Sequence, residues 1–226
     1  MQNDQPNFTP PPTPMENQPS PVLPPSSPHK NSQRREGIKS IFATVLILLL
    51  APILALSITA FVFQSYEVDG PSMEPTLKTH DRLIVWKVGR TWSRITDEPY
   101  IPQRGNVVVF VKRGLYDFNS DREKQLIKRI IGLPGERVVV ENGAITVFND
   151  DFPNGFSPDN TLGITDTITG ETVGNADIRL GEGELFLVGD HRDNSLDSRS
   201  FGAVPAADIV GTLSARILPL SEARKF

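Results

Sequence analysis

A serine in the stretch GPSMEPTL, Ser72, is the first residue whose type and surroundings suggest chemistry. A serine hydroxyl needs a neighbouring base to accept its proton before it attacks a carbonyl. Histidine is the usual base, but the chain has only three, and His29 is separated from Ser72 by a long apolar run. His80 and His191 remain. His191 has aspartates close to it on both sides, so a triad built on it is chemically possible.

A lysine is the other possible base. Its pKa is normally near 10.4, and burial among apolar groups lowers that pKa because it disfavours the charged form. In QLIKRIIGLPGE, Lys128 would share one face of a strand with Leu126 and Ile130, whereas Lys124 precedes the apolar residues. Lys128 is therefore the best candidate for a desolvated amine. The alternative is a surface lysine that covers apolar neighbours.

Composition excludes several other chemistries. The chain has no cysteine, which rules out thiol catalysis and disulfide bonds. An HExxH motif is absent, so a metalloprotease zinc site has no support, and we predict no metal and no cofactor. Basic residues do not alternate with aromatic ones along any face, which argues against a nucleic-acid partner.

An uncharged apolar run precedes the serine, at residues 41–63. At about 1.5 Å per residue it reaches roughly 34 Å, enough to cross a hydrocarbon core of about 30 Å. It is longer than the core of a cleaved signal peptide, so we predict a retained transmembrane helix. Basic residues precede it and acidic residues follow it: Arg34, Arg35 and Lys39 before, Glu67, Asp69 and Glu74 after. The positive-inside rule then places the N-terminus in the cytoplasm and the rest of the chain outside it.

Three regions follow from these patterns. Residues 1–36 hold half of the 20 prolines and predict a disordered, Pro-rich cytoplasmic tail. Residues 37–64 form the transmembrane helix, and residues 65–226 form a β-rich catalytic domain with a flexible excursion near 150–182. The chain is thus predicted to be mainly β, with an all-β extracytoplasmic domain. Its expected strands are residues 81–88, 106–111, 125–133, 184–190 and 209–220, plus a hairpin at 137–148 that turns at Asn142-Gly143.

Four segments, taken in order behind the apolar run, resemble the conserved boxes of type I signal peptidases. They are GPSMEPTL, RGNVVVF, IKRIIGLPGERV and GDHRDNSLDSRSFGAV. That family consists of membrane-bound serine proteases with a Ser/Lys dyad, and the resemblance covers about residues 37–220. It implies that Ser72 is the nucleophile and Lys128 the general base.

The resemblance also assigns supporting roles. Ser195 matches a serine that hydrogen-bonds the lysine amine, and Asp197 and Arg199 match a charge pair that braces the site. Many members have a serine two residues before the nucleophile that helps bind the oxyanion, and this chain has Gly70 there. The oxyanion would then rest on the backbone N–H of Ser72 and on another donor. His191 stands where many members have asparagine, and we interpret it as a loop residue.

The substrates that the resemblance implies are exported preproteins, cut after a small-x-small sequence. Members of the family bind the substrate as an added β-strand, and we expect four residues to contact it: Tyr66, Val68, Leu126 and Ile127. Met73, beside the nucleophile, is expected to pack against substrate or the bilayer surface. The other expected partners are the lipid bilayer of a plasma or internal membrane and the protein export machinery. The alternative function is a non-catalytic, membrane-tethered β-domain that binds partner proteins.

Overall fold

The structure is a computed structural model that describes residues 30–116 and 123–226, with side chains from residue 40 onward. Most of the predicted tail, residues 1–29, lies outside the described residues. The first helix, α1, spans Lys30–Phe61. Residues 30–36, which the sequence assigned to the tail, are therefore helical.

Helix α1 is long and apolar enough to cross a membrane. Its segment Ser40–Phe61 has 22 residues and a mean hydropathy of 2.8, and it is not buried against other described residues. At about 1.5 Å per residue this segment is roughly 33 Å long. Pro52 lies within the helix, a position that membrane-spanning helices tolerate. These features agree with the predicted span, apart from its end, since the first strand already begins at Phe63.

The remainder of the described chain is mainly β, as the sequence predicted. The strands and further helices, in chain order, are β1 (Phe63–Glu67), β2 (Arg82–Trp86), α2 (Val88–Thr96), β3 (Val107–Tyr116), β4 (Glu123–Gly132), β5 (Arg137–Glu141), β6 (Ala144–Phe148), α3 (Pro158–Thr161), β7 (Ala176–Arg179), β8 (Glu184–Val188), α4 (Ser198–Phe201), β9 (Val204–Pro205), β10 (Ile209–Leu218) and β11 (Arg224–Lys225). The main sheet has the order β1-β2-β10-β3-β4-β8-β9, with β11 beside β10. A smaller sheet has the order β6-β5-β7.

Strand β8 lies between the two largest hydrophobic clusters. Leu185 and Leu187 belong to the cluster on the main sheet, whereas Phe186 and Val188 belong to the cluster that includes the small sheet. Successive side chains of a strand point to opposite faces, so both faces of β8 are covered. This arrangement explains its uninterrupted apolar sequence, and it fixes the position of the loop that follows β8.

The β5–β6 hairpin has the turn that its sequence predicts. Asn142 has φ of 51° and Gly143 has φ of 77°, the positive values that a two-residue turn between antiparallel strands requires. The register pairs Glu141 with Ala144 and continues to Arg137 with Phe148.

Two segments differ from the sequence-based expectation. Helix α2 was not predicted. Its apolar residues Val88, Trp92 and Ile95 have helical spacing, but the helix has only nine residues and none of them is buried, so it is shorter than the window of about 11–18 residues over which a helical period is judged. Residues 150–182 were expected to form a loop. They contain α3 and β7, and Leu180 is buried in the core beside the small sheet. The flexibility of this segment stays a prediction.

Candidate active site

Ser72 lies in the loop between β1 and β2, and the core holds this loop in place. Met73 and Leu77 are fully buried in a cluster with Leu83. The expectation that Met73 packs against substrate or the bilayer surface is therefore wrong, because its side chain anchors the loop instead. The carbonyl of Ser72 accepts a hydrogen bond from the backbone N–H of His191 at 3.1 Å, which ties this loop to the one that follows β8.

Lys128 lies on β4 and contacts Ser72 directly. Its Nζ donates to Ser72 Oγ at 2.6 Å and to the carbonyl of Ile127 at 2.9 Å. The lysine is only 2% exposed. The structure thus brings the predicted nucleophile and the predicted base into hydrogen-bond contact, although 56 residues separate them in sequence.

Burial also determines the charge state of this lysine. It lowers the pKa of Lys128 from 10.5 to about 8, against the opposing effect of the carboxylates of Asp197 and Asp190. An amine with this pKa is neutral in about a tenth of molecules at pH 7 and in about half at pH 8, so a neutral form that can accept a proton is accessible. An exposed lysine would be almost fully protonated there.

The other candidate bases do not contact the Ser72 hydroxyl. The ring of His191 contacts the carbonyl of Pro71 at 3.2 Å through Nδ1 and the carboxylate of Asp193 at 3.2 Å through Nε2. The ring of His80 is exposed and contacts Glu67 at 3.1 Å. A triad built on either histidine is thus not formed in the structure.

Ser195 lies beside Ser72 without the contact that was predicted for it. Its hydroxyl is buried and has no hydrogen-bond partner within residues 30–116 and 123–226, so the expected hydrogen bond with Lys128 is not formed. The position of Ser195 is nevertheless evident from its distance to Gly189, the residue that follows β8. A Cβ atom added to Gly189 would lie 2.2 Å from Ser195 Oγ and 2.4 Å from the carbonyl oxygen of Ser72. All three residues are therefore in close contact.

Asp197 and Arg199 form a buried ion pair. Arg199 Nε and one terminal nitrogen donate to the two carboxylate oxygens of Asp197, each at 2.8 Å, and the side chains are 3% and 0% exposed for Arg199 and Asp197. Asp197 also accepts from the backbone N–H of Gly189 at 3.0 Å. The pair is thus connected to the close contact around Gly189, and its burial distinguishes it from an ordinary surface salt bridge.

A cleft of about 530 Å³ opens at the Ser72–Lys128 pair. Its lining includes all four residues predicted to contact substrate: Tyr66, Val68, Leu126 and Ile127. Lys124 lines the same cleft, so it belongs to the cleft wall although it does not contact Ser72. The mixture of apolar wall and exposed strand backbone suits an extended peptide.

Two backbone groups near the nucleophile bear on oxyanion binding. The backbone N–H of Ser72 donates to no acceptor in the described part of the chain. Gly70 has φ of 98°, and a Cβ added there would meet no atom within 4 Å. The space beside Gly70 is therefore open, and the positive φ favours glycine at this position.

Three residues of the site were not predicted from the sequence. One is Gly189, whose close contacts with Ser72 and Ser195 are described above. The sequence signal for it was a glycine directly after an apolar strand, which often marks a close backbone approach.

The other two are Arg129 and Asp190. They form a second buried ion pair, with distances of 2.8 and 2.5 Å, and this pair joins β4 to the residues after β8. The sequence indicated only that Arg129 points away from the face of Lys128.

Several known proteins are similar to this chain. The family described as signal peptidase, peptidase S26, matches residues 41–218. The signal peptidase I of Leptolyngbya laminosa is 31% identical over 90% of this chain and 91% of its own length. The probable signal peptidase I-1 of a Synechocystis strain is 32% identical over 77% and 81%. The solved structure of a signal peptidase I from Enterococcus faecalis aligns at 25% identity with 50% of this chain and 97% of its own, with a TM-score of 0.37. Since the family model matches most of its length, the chain belongs to the signal peptidase family, peptidase S26, and is a serine endopeptidase.

Proposed function

We propose that this chain is a membrane-anchored endopeptidase that removes N-terminal signal peptides from exported preproteins, with Ser72 as nucleophile and Lys128 as general base. The observation that carries the proposal is the 2.6 Å hydrogen bond between Lys128 Nζ and Ser72 Oγ in a buried environment. Its substrate class comes from the relatives, which are named signal peptidase I.

The proposed reaction is acyl transfer through a covalent intermediate. The neutral amine of Lys128 takes the proton of Ser72 Oγ as that oxygen attacks the scissile carbonyl carbon. The resulting ammonium gives the proton to the departing amine, and the acyl group stays on Ser72. Water then attacks the ester, with the neutral amine of Lys128 accepting its proton. The acyl–Oγ bond breaks, Lys128 gives that proton to Ser72 Oγ, and the acyl group leaves as the carboxyl product.

The oxyanion of each tetrahedral intermediate needs hydrogen-bond donors. The backbone N–H of Ser72 is available for this role, because it makes no other hydrogen bond to the described residues. Loss of one such donor elsewhere has cost roughly 10²–10³ in rate. Since Gly70 has no side chain to supply the second donor, we assign that role to a water molecule or to a group brought by the substrate.

Strand β4 provides a backbone edge for the substrate. It pairs with β8 only over Arg129–Gly132, and within the described ranges its earlier residues, up to Lys128, pair only with β3. The free donors and acceptors on that side face the cleft, and an extended peptide can add to them as a strand. Val68, Leu126 and Ile127 would then form the small apolar pockets that select small residues before the cleavage point.

Ser195, Asp197 and Arg199 support the dyad in this proposal. Asp197 and Arg199 hold the loop after β8 through the N–H of Gly189, and that loop in turn binds the carbonyl of Ser72. The hydroxyl of Ser195, which has no partner among the described residues, would hydrogen-bond the Lys128 amine when Ser72 Oγ turns toward a substrate carbonyl.

The anchor and the orientation are part of the same proposal. The apolar segment Ser40–Phe61 of α1 crosses a plasma or internal membrane, the residues before it lie in the cytoplasm, and the residues from β1 onward form the catalytic domain on the other side. The bilayer and the export machinery would deliver preproteins to a cleft that is close to the membrane surface, since Ser72 follows the end of α1 by only 11 residues.

Cleavage of a preprotein by the purified full-length chain in detergent tests the proposal. We expect Ser72→Ala and Lys128→Ala to abolish cleavage, each with a thermal unfolding transition like that of the unmodified protein. Lys112→Ala is the matched control, because Lys112 lies on the adjacent strand β3 over the ring of Phe201. Cleavage that persists in Lys128→Ala and is lost in His191→Ala would refute the dyad in favour of a triad.

A further inference from the structure

A second cavity lies where the apolar helix ends. This juxtamembrane groove has a volume of about 660 Å³ and is formed by the last turn of α1, by β1 and by one face of α2. It shares Tyr66 and Gln125 with the cleft at Ser72, so the two cavities adjoin. Nothing in the reaction described above uses the groove.

Three cations line the groove without a counter-ion. These cations, Lys87, Arg90 and Arg94, have the spacing i, i+3 and i+7. They therefore lie on one face of α2, with Lys87 directly before the first residue of the helix. Within the part of the chain that the structure describes, no carboxylate forms an ion pair with any of them. The carboxylate of Asp208, which raises the pKa of Arg90 less than Tyr66 does, is bound by Arg113 instead.

Arg90 is only partly buried, but one of its nitrogen atoms is fully enclosed. Its Nε is a buried donor without an acceptor among the described residues, which is a costly arrangement for a charged group. Burial and the adjacent cation of Arg94 lower the pKa of Arg90, and burial and the two arginines lower the pKa of Lys87. An anion in the groove would satisfy the donor and relieve the repulsion.

The position of the groove indicates which anion can reach it. Lys87 Nζ donates to the carbonyl of Ala60 at 2.8 Å, and Thr91 Oγ1 donates to the carbonyl of Phe61 at 2.9 Å. Both carbonyls belong to the last turn of α1, so α2 is fixed to the end of the apolar helix. If that helix spans the bilayer, its end lies in the headgroup layer, and the groove lies at the depth of the lipid phosphates.

Two large apolar side chains of α2 are exposed, and one of them, Ile95, also lines the groove. Trp92 is 63% exposed and Ile95 is 73% exposed. Tryptophan is enriched where membrane proteins meet the headgroup layer, because its ring is apolar and its N–H is polar. A short helix with an aromatic edge and a cationic face is typical of a segment that lies in the interface.

We propose that the juxtamembrane groove binds the phosphate-bearing headgroup of an anionic phospholipid through Lys87, Arg90 and Arg94, with Trp92 and Ile95 in the interfacial layer. The lipid would fix the depth and tilt of the catalytic domain at the membrane. Because the groove and the cleft share Tyr66 and Gln125, that lipid would also border the path of a bound substrate. This inference rests on the membrane anchoring proposed above.

Quenching of tryptophan fluorescence by brominated lipids can test it in the full-length protein. The chain has two tryptophans, so Trp86→Phe leaves Trp92 as the only reporter. The protein is placed in phosphatidylcholine nanodiscs that contain a small fraction of brominated phosphatidylglycerol or, for comparison, brominated phosphatidylcholine. We expect stronger quenching by the anionic lipid, and weaker quenching as salt is added, because the interaction is electrostatic.

Neutralisation of the groove should remove this preference. Each juxtamembrane cation contributes about fivefold to anionic lipid binding, so Lys87→Gln/Arg90→Gln/Arg94→Gln should lose on the order of 100-fold in apparent affinity for phosphatidylglycerol. Arg94→Gln alone, at an exposed position, should lose about fivefold and is not expected to disturb folding. The control is Arg137→Gln/Arg179→Gln/Lys225→Gln, which removes the same charge at three positions that do not line the groove and should keep the preference.

Four results would overturn the inference. Equal quenching by the two lipids, or an unchanged preference in both groove variants, would show that the groove is not an anion site for lipid. An equal loss in the control variant would show a diffuse charge effect. Displacement by soluble glycerol phosphate or by an acidic peptide as effectively as by the lipid would assign the groove to a soluble anion or to a protein partner. Failure of the protein to insert into phosphatidylcholine at all would refute the anchoring as well, which separates the two proposals.

Discussion

Gly189 offers the sharpest test of how the site is assembled. Substitution by alanine adds one methyl group at the point where the loop after β8 meets the nucleophile loop. That methyl carbon would lie 2.4 Å from the carbonyl oxygen of Ser72, 2.2 Å from Ser195 Oγ and 2.6 Å from Ser195 Cβ. The φ of Gly189 is not in the left-handed region, so the effect would come from this collision rather than from backbone strain.

The size of the effect follows from the distances. Ordinary contacts of a Cβ atom begin at 3.4 Å, so Ser72 O must retreat by 3.4 − 2.4 = 1.0 Å. The Ser195 hydroxyl can rotate away, but the Ser72 carbonyl is backbone and is bound by the N–H of His191. The nucleophile would thus shift by about 1 Å relative to Lys128. A misplacement of that size can cost about 10²-fold in rate, and overpacking costs about 1–3 kcal/mol in unfolding free energy.

The assay is the kcat for preprotein cleavage, with thermal unfolding measured on the same samples. Gly181→Ala is the matched control, since Gly181 also has an ordinary φ and its added Cβ would meet only the flexible end of Glu184, at 3.2 Å. We expect a loss of about 10²-fold for Gly189→Ala and little change for the control. A Gly189→Ala protein that cleaves at the unmodified rate would refute the argument that these two loops fix the nucleophile by close contact.

Three further predictions concern charge and polar burial. Because burial lowers the pKa of Lys128 to about 8, the neutral base forms as the pH rises, so kcat/KM should increase through pH 8; a rise centred near 10.5 would contradict a desolvated base. Asp197→Asn leaves the buried guanidinium of Arg199 without its counter-ion and should cost about 3–5 kcal/mol, a fall in Tm on the order of 10 °C; an unchanged Tm in a thermal melt would contradict it. Tyr66→Phe removes a hydroxyl that is buried without a partner among the described residues and should raise the unfolding free energy by about 1 kcal/mol, measured by denaturant titration; destabilisation would show that the hydroxyl has a partner.

The fold was predictable where the side-chain pattern reflects burial. The apolar run predicted α1, the Val- and Ile-rich runs predicted strands of the main sheet, and Asn142-Gly143 predicted the hairpin turn. Helix α2 was missed because it has only nine residues, fewer than the window of about 11–18 residues over which a helical period is judged. Strand β7 was missed because it has only four residues with two exposed, too short for an alternating pattern to stand out from the polar loop around it.

The site was predictable to the level of residue type and family resemblance. Lys128 could be selected because the apolar residues beside it indicate burial, and the 2% exposure agrees. The role of Gly189 could not be read from the sequence, since it depends on a contact between two loops that are more than 100 residues apart. The hydrogen bond expected for Ser195 depends on a side-chain rotamer, which no sequence pattern specifies.

The limit of pairing between β4 and β8 explains how one strand can serve both catalysis and binding. Pairing with β8 begins at Arg129, and the buried Arg129–Asp190 ion pair closes the strands at that point. From Arg129 onward, β4 has a neighbouring strand at both edges. Before Arg129, the edge of β4 on the side of β8 is open to the cleft. Lys128 lies directly before Arg129, at the boundary between the paired and the unpaired part of β4. The paired part excludes water from the Lys128 amine, and the unpaired part leaves Ser72 accessible. A peptide added to the open edge would therefore end beside Lys128, whose pKa burial lowers to about 8.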